Sequence, residues 1–262
     1  MKVADYIINY LSDIGIQDVF VVYGAANGDL IDAFTRNDKI RYIAVMHEQG
    51  GGFAAEGYSK VKDQIGVAIA TSGPGGMNFV TPIGNCYYDS VPCLFITGQV
   101  NPKYMRPDES IRQIGFQETD IISIVKPITK YAKMVMNADD IKYELQKAIH
   151  EATNGRPGPV LLDIPIPIQK QDIDTTKLIG YDDTANVSFN TEVINSQIDS
   201  YIKDLKNSKM PCLMIGGGVR LSGAVDELLE LGKVLKIPMF PTWNALDIVC
   251  SDYEYYGGRI GT

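Results

Sequence analysis

The sequence predicts an α/β protein, with a doubly wound parallel sheet followed by part of a second Rossmann-like α/β domain. Three observations support this fold class. Short apolar runs alternate with helix-like repeats over most of the chain, glycine-rich turns follow several of those runs, and a polar interval precedes a second, shorter alternation. Alternating strands and helices are typical of a parallel sheet that carries helices on both faces.

The first helix is predicted at residues 3–14, where apolar side chains recur at helical spacing and Gly15 follows as a helix terminator. Short apolar runs predict strands, at residues 18–22, 41–45, 66–70, 92–97 and 159–164. The segments between them predict further helices, at residues 29–34, 49–62, 75–85 and 139–153. Residues 101–117 look irregular, and long irregular loops in compact domains often bind a ligand.

The composition of the chain divides it into two domains. Residues 1–168 form the first, residues 169–190 are rich in Asp and Thr and predict a linker, and residues 191–262 begin the second. Helices are predicted there at residues 191–207 and 223–235, with strands at residues 211–215 and 238–241. Two strands are fewer than a typical sheet contains, so we expect Thr262 to lie inside the second domain.

Charge and cysteine usage restrict the class of protein. The 24 Lys and Arg residues against 32 Asp and Glu give a net charge of −8, which opposes binding to nucleic acid or to an anionic membrane. The four cysteines form no CxxC pair, and each lies in an apolar context typical of a buried thiol. With no signal peptide and no apolar stretch of about 18 residues, we expect a cytoplasmic protein.

Polar and glycine-rich loops follow several predicted strands. They contain Gly24, His47-Glu48, Ser72-Gly73-Pro74 and Gly98-Gln99. Because ligands bind beyond the carboxyl ends of parallel strands, we expect these loops to share one binding edge. Glu48 is the candidate catalytic carboxylate; the alternative is that it only stabilises the N-terminus of the next helix.

The turn at residues 71–78 reads Thr-Ser-Gly-Pro-Gly-Gly-Met-Asn. Its glycines let backbone amides approach a ligand closely. It lacks the Lys-Ser/Thr of a P-loop and is not a GxGxxG fingerprint, so a nucleotide site has little support here.

Several linked motifs, in this order and spacing, resemble the thiamine-diphosphate-dependent enzymes of the acetolactate synthase type. They are Val45-Met46-His47-Glu48-Gln49, Ala55-Glu56-Gly57-Tyr58, Thr71-Ser72-Gly73-Pro74-Gly75 with Asn78, Thr97-Gly98-Gln99-Val100, Phe116-Gln117-Glu118 and Asp163-Ile164-Pro165. The resemblance covers essentially the whole chain. It implies a pyrimidine-binding N-terminal domain followed by the first part of a central domain.

The resemblance assigns roles to residues of the first domain. It implies that Glu48 hydrogen-bonds the pyrimidine ring and activates thiamine diphosphate, and that further residues bind this coenzyme, namely Ser72, Gly73, Pro74 and Asn78. Substrate contacts are implied at Gly24, Ala25, Phe116 and Gln117, the last two reaching the substrate channel of a neighbouring subunit. The alternative for Phe116 is an ordinary core aromatic. Gln99 and Gln113 are weaker polar candidates.

In the second domain the resemblance implies a site for FAD, which acetolactate synthases hold without using it for redox chemistry. The matching positions are Arg156, Gly216, Gly217, Gly218, Thr242 and Trp243. One alternative is a related fold with an empty groove. Another is a nicotinamide dehydrogenase that uses the turn at Gly216, although no GxGxxG follows the strand.

The reaction implied is decarboxylation of a 2-keto acid, first of all pyruvate, and ligation of the two-carbon unit to a carbonyl acceptor. Alternatives are a simple 2-keto acid decarboxylase and a noncatalytic binding or regulatory subunit. Two departures bear on the substrate: Gly24-Ala25-Ala26-Asn27 replaces a proline and two glycines, and Ile166 replaces a lysine. No Gly-Asp-Gly motif is present, so Mg²⁺ and the diphosphate are expected to bind outside this sequence, in a C-terminal continuation or in another chain. The resemblance also implies a homodimer or homotetramer.

Overall fold

The computed structural model describes residues 1–182 and 189–260. The chain divides into two compact units, Met1–Asp183 and Thr184–Thr262. The division falls inside the interval predicted as a linker. The predicted domain limits at residues 168 and 190 stay predictions, and each unit is described by itself.

The first unit is built on a six-stranded sheet with the order β2-β1-β3-β4-β6-β5. Its strands are β1 (Asp18–Val21), β2 (Arg41–Ala44), β3 (Gly66–Ala70), β4 (Cys93–Gln99), β5 (Tyr131–Met134) and β6 (Pro159–Pro165). Every neighbouring pair is parallel. The predicted doubly wound parallel sheet is therefore confirmed.

Helices cover both faces of this sheet. They are α1 (Val3–Asp13), α2 (Gly28–Ala33), α3 (Glu48–Lys62), α4 (Pro74–Asn78), α5 (Val80–Asp89), α6 (Ile121–Val125), α7 (Ile141–Thr153) and α8 (Ile166–Lys170). In β3, Val67 and Ile69 pack with α1, α2 and α7, whereas Ala68 packs on the other face with α3, α5 and α6. Both faces of the central strands are buried, which explains their continuous apolar runs.

Three parts of the first unit differ from the prediction. The helix predicted at residues 75–85 is two helices, α4 and α5, which meet at Phe79. Strand β5 was not predicted, because it is a partly exposed edge strand in which Lys133 interrupts the apolar pattern. Residues beyond 168 also pack on this unit, since Ile173 and Leu178 are buried in its core.

The second unit contains a two-stranded parallel sheet, β7 (Leu213–Ile215) with β8 (Met239–Pro241). Its helices are α9 (Thr191–Asn207), α10 (Gly218–Leu221) and α11 (Val225–Leu235). A small core forms around Ile215 and Met239. Among the described residues of the whole chain, no helix is both long enough and apolar enough to cross a membrane.

The cysteine prediction is correct for only two residues. Cys86 and Cys93 are buried in the first unit, but Cys212 and Cys250 are exposed. Cys212 directly precedes β7, in which only Ile215 is fully buried. A sheet of two strands covers few of the apolar residues on it, so an apolar neighbourhood in the sequence did not indicate burial there.

Gly66 permits the close approach of α3 to the sheet. A β-carbon built there would lie 2.0 Å from the carbonyl oxygen of Ala55, which is backbone and cannot rotate away. We expect Gly66→Ala to lower the free energy of unfolding by about 3 kcal/mol through overpacking. Urea denaturation measures this change.

Gly57 provides the matched control. It lies on the exposed side of α3, where a β-carbon would have no neighbour within 4 Å. Gly57→Ala should leave stability unchanged or raise it by up to about 1 kcal/mol, because alanine favours a helix over glycine. Equal losses in the two variants would show that the Ala55 contact is not the cause.

Candidate active site

Glu48 is the first residue of α3 and follows the edge strand β2 through a short turn. The helix is capped by His47, whose Nδ1 accepts a hydrogen bond from the Gln49 amide at 3.2 Å. The Glu48 carboxylate instead reaches across to α4, where its Oε2 accepts from Asn78 Nδ2 at 2.8 Å. Glu48 is therefore not the capping side chain of α3.

The turn between β3 and α4 forms the second part of the site. Gly73 has φ +62°, a conformation that favours glycine. A β-carbon at Gly75 would lie 2.8 Å from Thr71 Cγ2 and 3.4 Å from Glu48 Oε1. Ser72 is buried and Pro74 is exposed. Thr71 and the Glu48 carboxylate therefore pack closely beside Gly75, and a side chain at this position would crowd both.

The loop after β1 lies against this turn. The Ala26 amide donates to Thr71 Oγ1 at 3.0 Å, and a β-carbon at Gly24 would overlap the Thr71 side chain at 2.5 Å. Asn27 is completely buried and accepts from the Gly24 amide at 2.8 Å. The predicted substrate residues Gly24 and Ala25 therefore belong to a loop that is held against the turn between β3 and α4.

A buried carboxylate network joins β4 to β6. Thr97 Oγ1 donates to Asp163 Oδ1 at 2.7 Å, and Gln99 Nε2 donates to Asp163 Oδ2 at 2.9 Å. Asp163 is fully buried, and this burial raises its pKa to about 7, opposed by the two hydrogen bonds and reinforced by the charge of Asp120.

The irregular loop predicted at residues 101–117 is present and contains one short 3₁₀ turn, Pro102–Tyr104. Phe116 is 85% exposed, so the alternative of a core aromatic is wrong. Gln117 has φ 62° and lies against Gly73, whose β-carbon would be 2.8 Å from Gln117 Cβ. Gln117 thus lies against the turn between β3 and α4 of its own chain.

The predicted FAD residues divide between the two units. In the first, Arg156 Nε donates to Ser90 Oγ at 2.6 Å. In the second, the triple glycine follows β7, and the Thr242 amide donates to the Ile215 carbonyl at 2.8 Å. Trp243 is 67% exposed. The glycine turn and Thr242-Trp243 therefore share the carboxyl edge of β7 and β8.

Two domain families match this chain, one in each of its two units. The N-terminal TPP binding domain of thiamine pyrophosphate enzymes matches residues 1–124, and their central domain matches residues 198–262. The chain belongs to the thiamine pyrophosphate enzyme family. Membership of this family identifies thiamine diphosphate as the coenzyme and removes the nicotinamide dehydrogenase alternative.

Similar proteins in this family are acetolactate synthases. The large subunit of Corynebacterium glutamicum is 38% identical over all of this chain and 41% of its own length. The chloroplastic enzyme of Arabidopsis thaliana is 37% identical over 97% of this chain and 37% of its own length. The acetolactate synthase large subunit of Lactococcus lactis is 34% identical over 97% of this chain and 43% of its own length. The chain therefore spans about two fifths of these relatives.

The residues around Glu48 fit the aminopyrimidine of the family's coenzyme. Asn78 donates a hydrogen bond to Oε2 of Glu48, whereas no described residue donates to Oε1. The neighbouring Gly75 presents no side chain, and the flanking Met46 and Met77 are 100% and 52% exposed. A polar acceptor among exposed apolar groups suits a flat heterocycle. The described residues contain no cluster of three or more His, Cys, Asp or Glu that could hold a metal ion.

Several residues that hold the site were not among the predicted site residues. Gln169 Nε2 donates to the carbonyl of Ala26, and Asn27 and Asp163 fix neighbouring loops. Asp163 had a detectable signal, because it is the only charged residue in an otherwise apolar strand. Gln169 had none, since its partner is 143 residues away.

Asp163 should make the stability of the protein depend on pH. An ordinary Asp titrates near pH 4, so between about pH 4 and pH 7 the folded protein holds a proton that the unfolded chain has lost. The free energy of unfolding should therefore fall as pH rises through this window, by up to about 4 kcal/mol from this group. Asp163→Asn should remove that part of the slope in urea denaturation.

The Thr97→Val variant tests the cause of this dependence. The hydrogen bond from Thr97 lowers the pKa of Asp163, so its loss should raise that pKa further. The free energy of unfolding of Thr97→Val should therefore continue to fall above pH 7. If wild type and Asp163→Asn show the same slope between pH 4 and pH 7, Asp163 does not titrate in this range.

Proposed function

We propose that this chain supplies the pyrimidine-binding part of a carboligase that decarboxylates a 2-keto acid and joins the two-carbon unit to a carbonyl acceptor. Pyruvate is the first candidate for the donor. Support comes from the family, from relatives named acetolactate synthases, and above all from Glu48, whose carboxylate is fixed by Asn78 with one oxygen free toward Gly75.

The coenzyme, when bound, supplies a nucleophilic carbon and an electron sink for the decarboxylation. Glu48 would hold or pass one proton at a pyrimidine nitrogen, and Asn78 would keep its carboxylate in position. Ser72, Gly73 and Pro74 would contact the aminopyrimidine, where the positive φ of Gly73 shapes the turn. Phe116 and Gln117 would contact the substrate and exclude water, and reach into a neighbouring subunit.

Other parts of the proposal concern residues outside the described site. Mg²⁺ and the diphosphate would bind to residues that this sequence does not contain, and a cytoplasmic location stays a prediction. A simple decarboxylase is the second candidate, because the loop from Gly24 to Asn27 differs from that of acetolactate synthases and lies against Thr71. The two differ in product: a hydroxyketone from ligation or a free aldehyde.

Glu48→Gln tests the catalytic role of the carboxylate. The amide can still bond to Asn78 but cannot hold or transfer the proton, so we expect turnover to fall about 100-fold or more while coenzyme binding is partly retained. Turnover of pyruvate by the full-length enzyme, with thiamine diphosphate and Mg²⁺, is measured beside coenzyme binding by calorimetry.

Glu192→Gln is the matched control, because Glu192 also lies in the first turn of an α-helix, α9, and is exposed. It should change stability by less than about 1 kcal/mol through the helix dipole and leave turnover unchanged. If Glu48→Gln behaves like this control, Glu48 only stabilises its helix. If the full-length wild-type protein binds the coenzyme and Mg²⁺ without turnover, the noncatalytic binding subunit replaces the enzyme.

We also propose that FAD binds at the carboxyl edge of β7 and β8, in a homodimer or homotetramer. A β-carbon at Gly216 or Gly218 would meet no atom within 4 Å, so the turn leaves open space for a ligand. At Gly217 there is no such space, because a β-carbon there would lie 3.2 Å from Asn244 Cβ. Thr242 and Trp243 lie on the neighbouring strand end, whereas the contact proposed for Arg156 has only the resemblance behind it.

Native mass spectrometry of the gently purified protein reports subunit number and bound cofactors together. We expect a dimer or tetramer with one FAD per subunit, and at least tenfold less FAD in Gly216→Val, whose side chain fills the open space. Thiamine diphosphate content should not change in that variant. A wild-type oligomer that retains thiamine diphosphate but no flavin would favour the related fold with an empty groove.

A further inference from the structure

The loop at residues 101–119 is organised from within by one carboxylate. Glu118 Oε1 accepts from the Arg106 amide at 2.6 Å, and its Oε2 accepts from the Ile114 amide at 2.9 Å. The Gly115 amide also donates to the Tyr104 carbonyl at 2.7 Å. These bonds tie both arms of the loop together, so the loop that carries Phe116 and Gln117 forms one hydrogen-bonded body.

A single buried side chain ties this body to the sheet by hydrogen bonds at its two ends. Gln99 is the last residue of β4 and is 2% exposed. Its Nε2 donates to the Thr119 carbonyl at 2.8 Å, and its Oε1 accepts from the Val100 amide at 2.9 Å. Val100 and Thr119 flank the loop at its start and its end, so the Gln99 carboxamide closes the base of the loop.

The orientation of that carboxamide is fixed by Asp163. Gln99 Nε2 donates its second hydrogen bond to Asp163 Oδ2, with a nitrogen-to-oxygen distance of 2.9 Å. The other carboxylate oxygen accepts a hydrogen bond from Thr97. If the amide turned over, its oxygen would face the Asp163 carboxylate and the Thr119 carbonyl, and its buried NH₂ group would face the Val100 amide without an acceptor. Only one orientation of Gln99 therefore satisfies every partner.

We propose that Asp163 is a positioning residue, which acts through Gln99 to hold the loop at residues 101–119 and so sets where Phe116 and Gln117 stand against the turn at Gly73. Asp163 touches neither residue itself. A β-carbon built at Gly73 would lie 2.8 Å from Gln117 Cβ, so Gln117 packs directly against this turn and only glycine leaves room for it. The consequence for substrate binding rests on the function proposed above.

Hydrogen–deuterium exchange of peptides from residues 100–120 tests the placement without coenzyme or turnover. We expect at least fivefold faster exchange in Asp163→Ala and in Gln99→Met, which keeps its volume but loses all three hydrogen bonds. Asp163→Asn should keep the wild-type rate, since its amide oxygen still accepts from Gln99. Should Asp163→Ala fail to fold, Gln99→Met cuts the same connection from the other side.

Thr97→Val is the matched control, because it removes the other hydrogen bond of Asp163 from the same buried site and touches no loop residue. Its loop should exchange within twofold of wild type. A protected loop in Gln99→Met, or equal acceleration in Thr97→Val, would overturn the proposal. In the full-length enzyme, Gln99→Met should raise KM for the 2-keto acid more than it lowers kcat. A wild-type protein without turnover would refute the proposed function and leave the exchange result standing.

Discussion

The parallel pairing of β1, β3, β4 and β6 is the constraint on which the candidate site depends. Parallel strands all end at the same edge, so the residues that follow them are brought together although they are far apart in the sequence. Burial on both faces fixes the register, because a slip of one residue would exchange the two cores, as Ala68 and Ile69 illustrate. The positions of Gly24, Ser72 and Gln99 follow from that register.

Position along an edge does not by itself hold a loop, and two of these loops are held by buried polar side chains. Asn27 and Gln169 secure the loop after β1, and Gln99 secures the loop after β4. Close backbone contacts complete the arrangement: a β-carbon at Gly98 would lie 1.8 Å from the Ala26 carbonyl oxygen. Loss of any one buried group would leave a partner unsatisfied, so placement and stability are linked.

The sequence predicted those features that local patterns encode. Strands β3, β4 and β6 are buried on both faces and were predicted as apolar runs, whereas the edge strand β5 carries Lys133 and gave no such signal. The family motifs identified Glu48 and Asn78, but their 2.8 Å contact joins two helices and requires the folded chain. The links from Gln169 to Ala26 and from Gln99 to Asp163 depend on tertiary contacts that no spacing rule expresses.

Two glutamates on one helix show why Glu48 is suited to a ligand rather than to the fold. Glu56 is 5% exposed, and both of its oxygens are within hydrogen-bonding distance of Asn85, with Lys60 as a cation partner. A carboxylate so fully paired has no capacity left for a ligand. Glu48 begins the same helix, is only partly buried and has one oxygen bonded, to Asn78. Its second oxygen accepts from no described residue and would lie 3.4 Å from a β-carbon at Gly75, so it is available to pair with a heterocycle that carries a ring nitrogen.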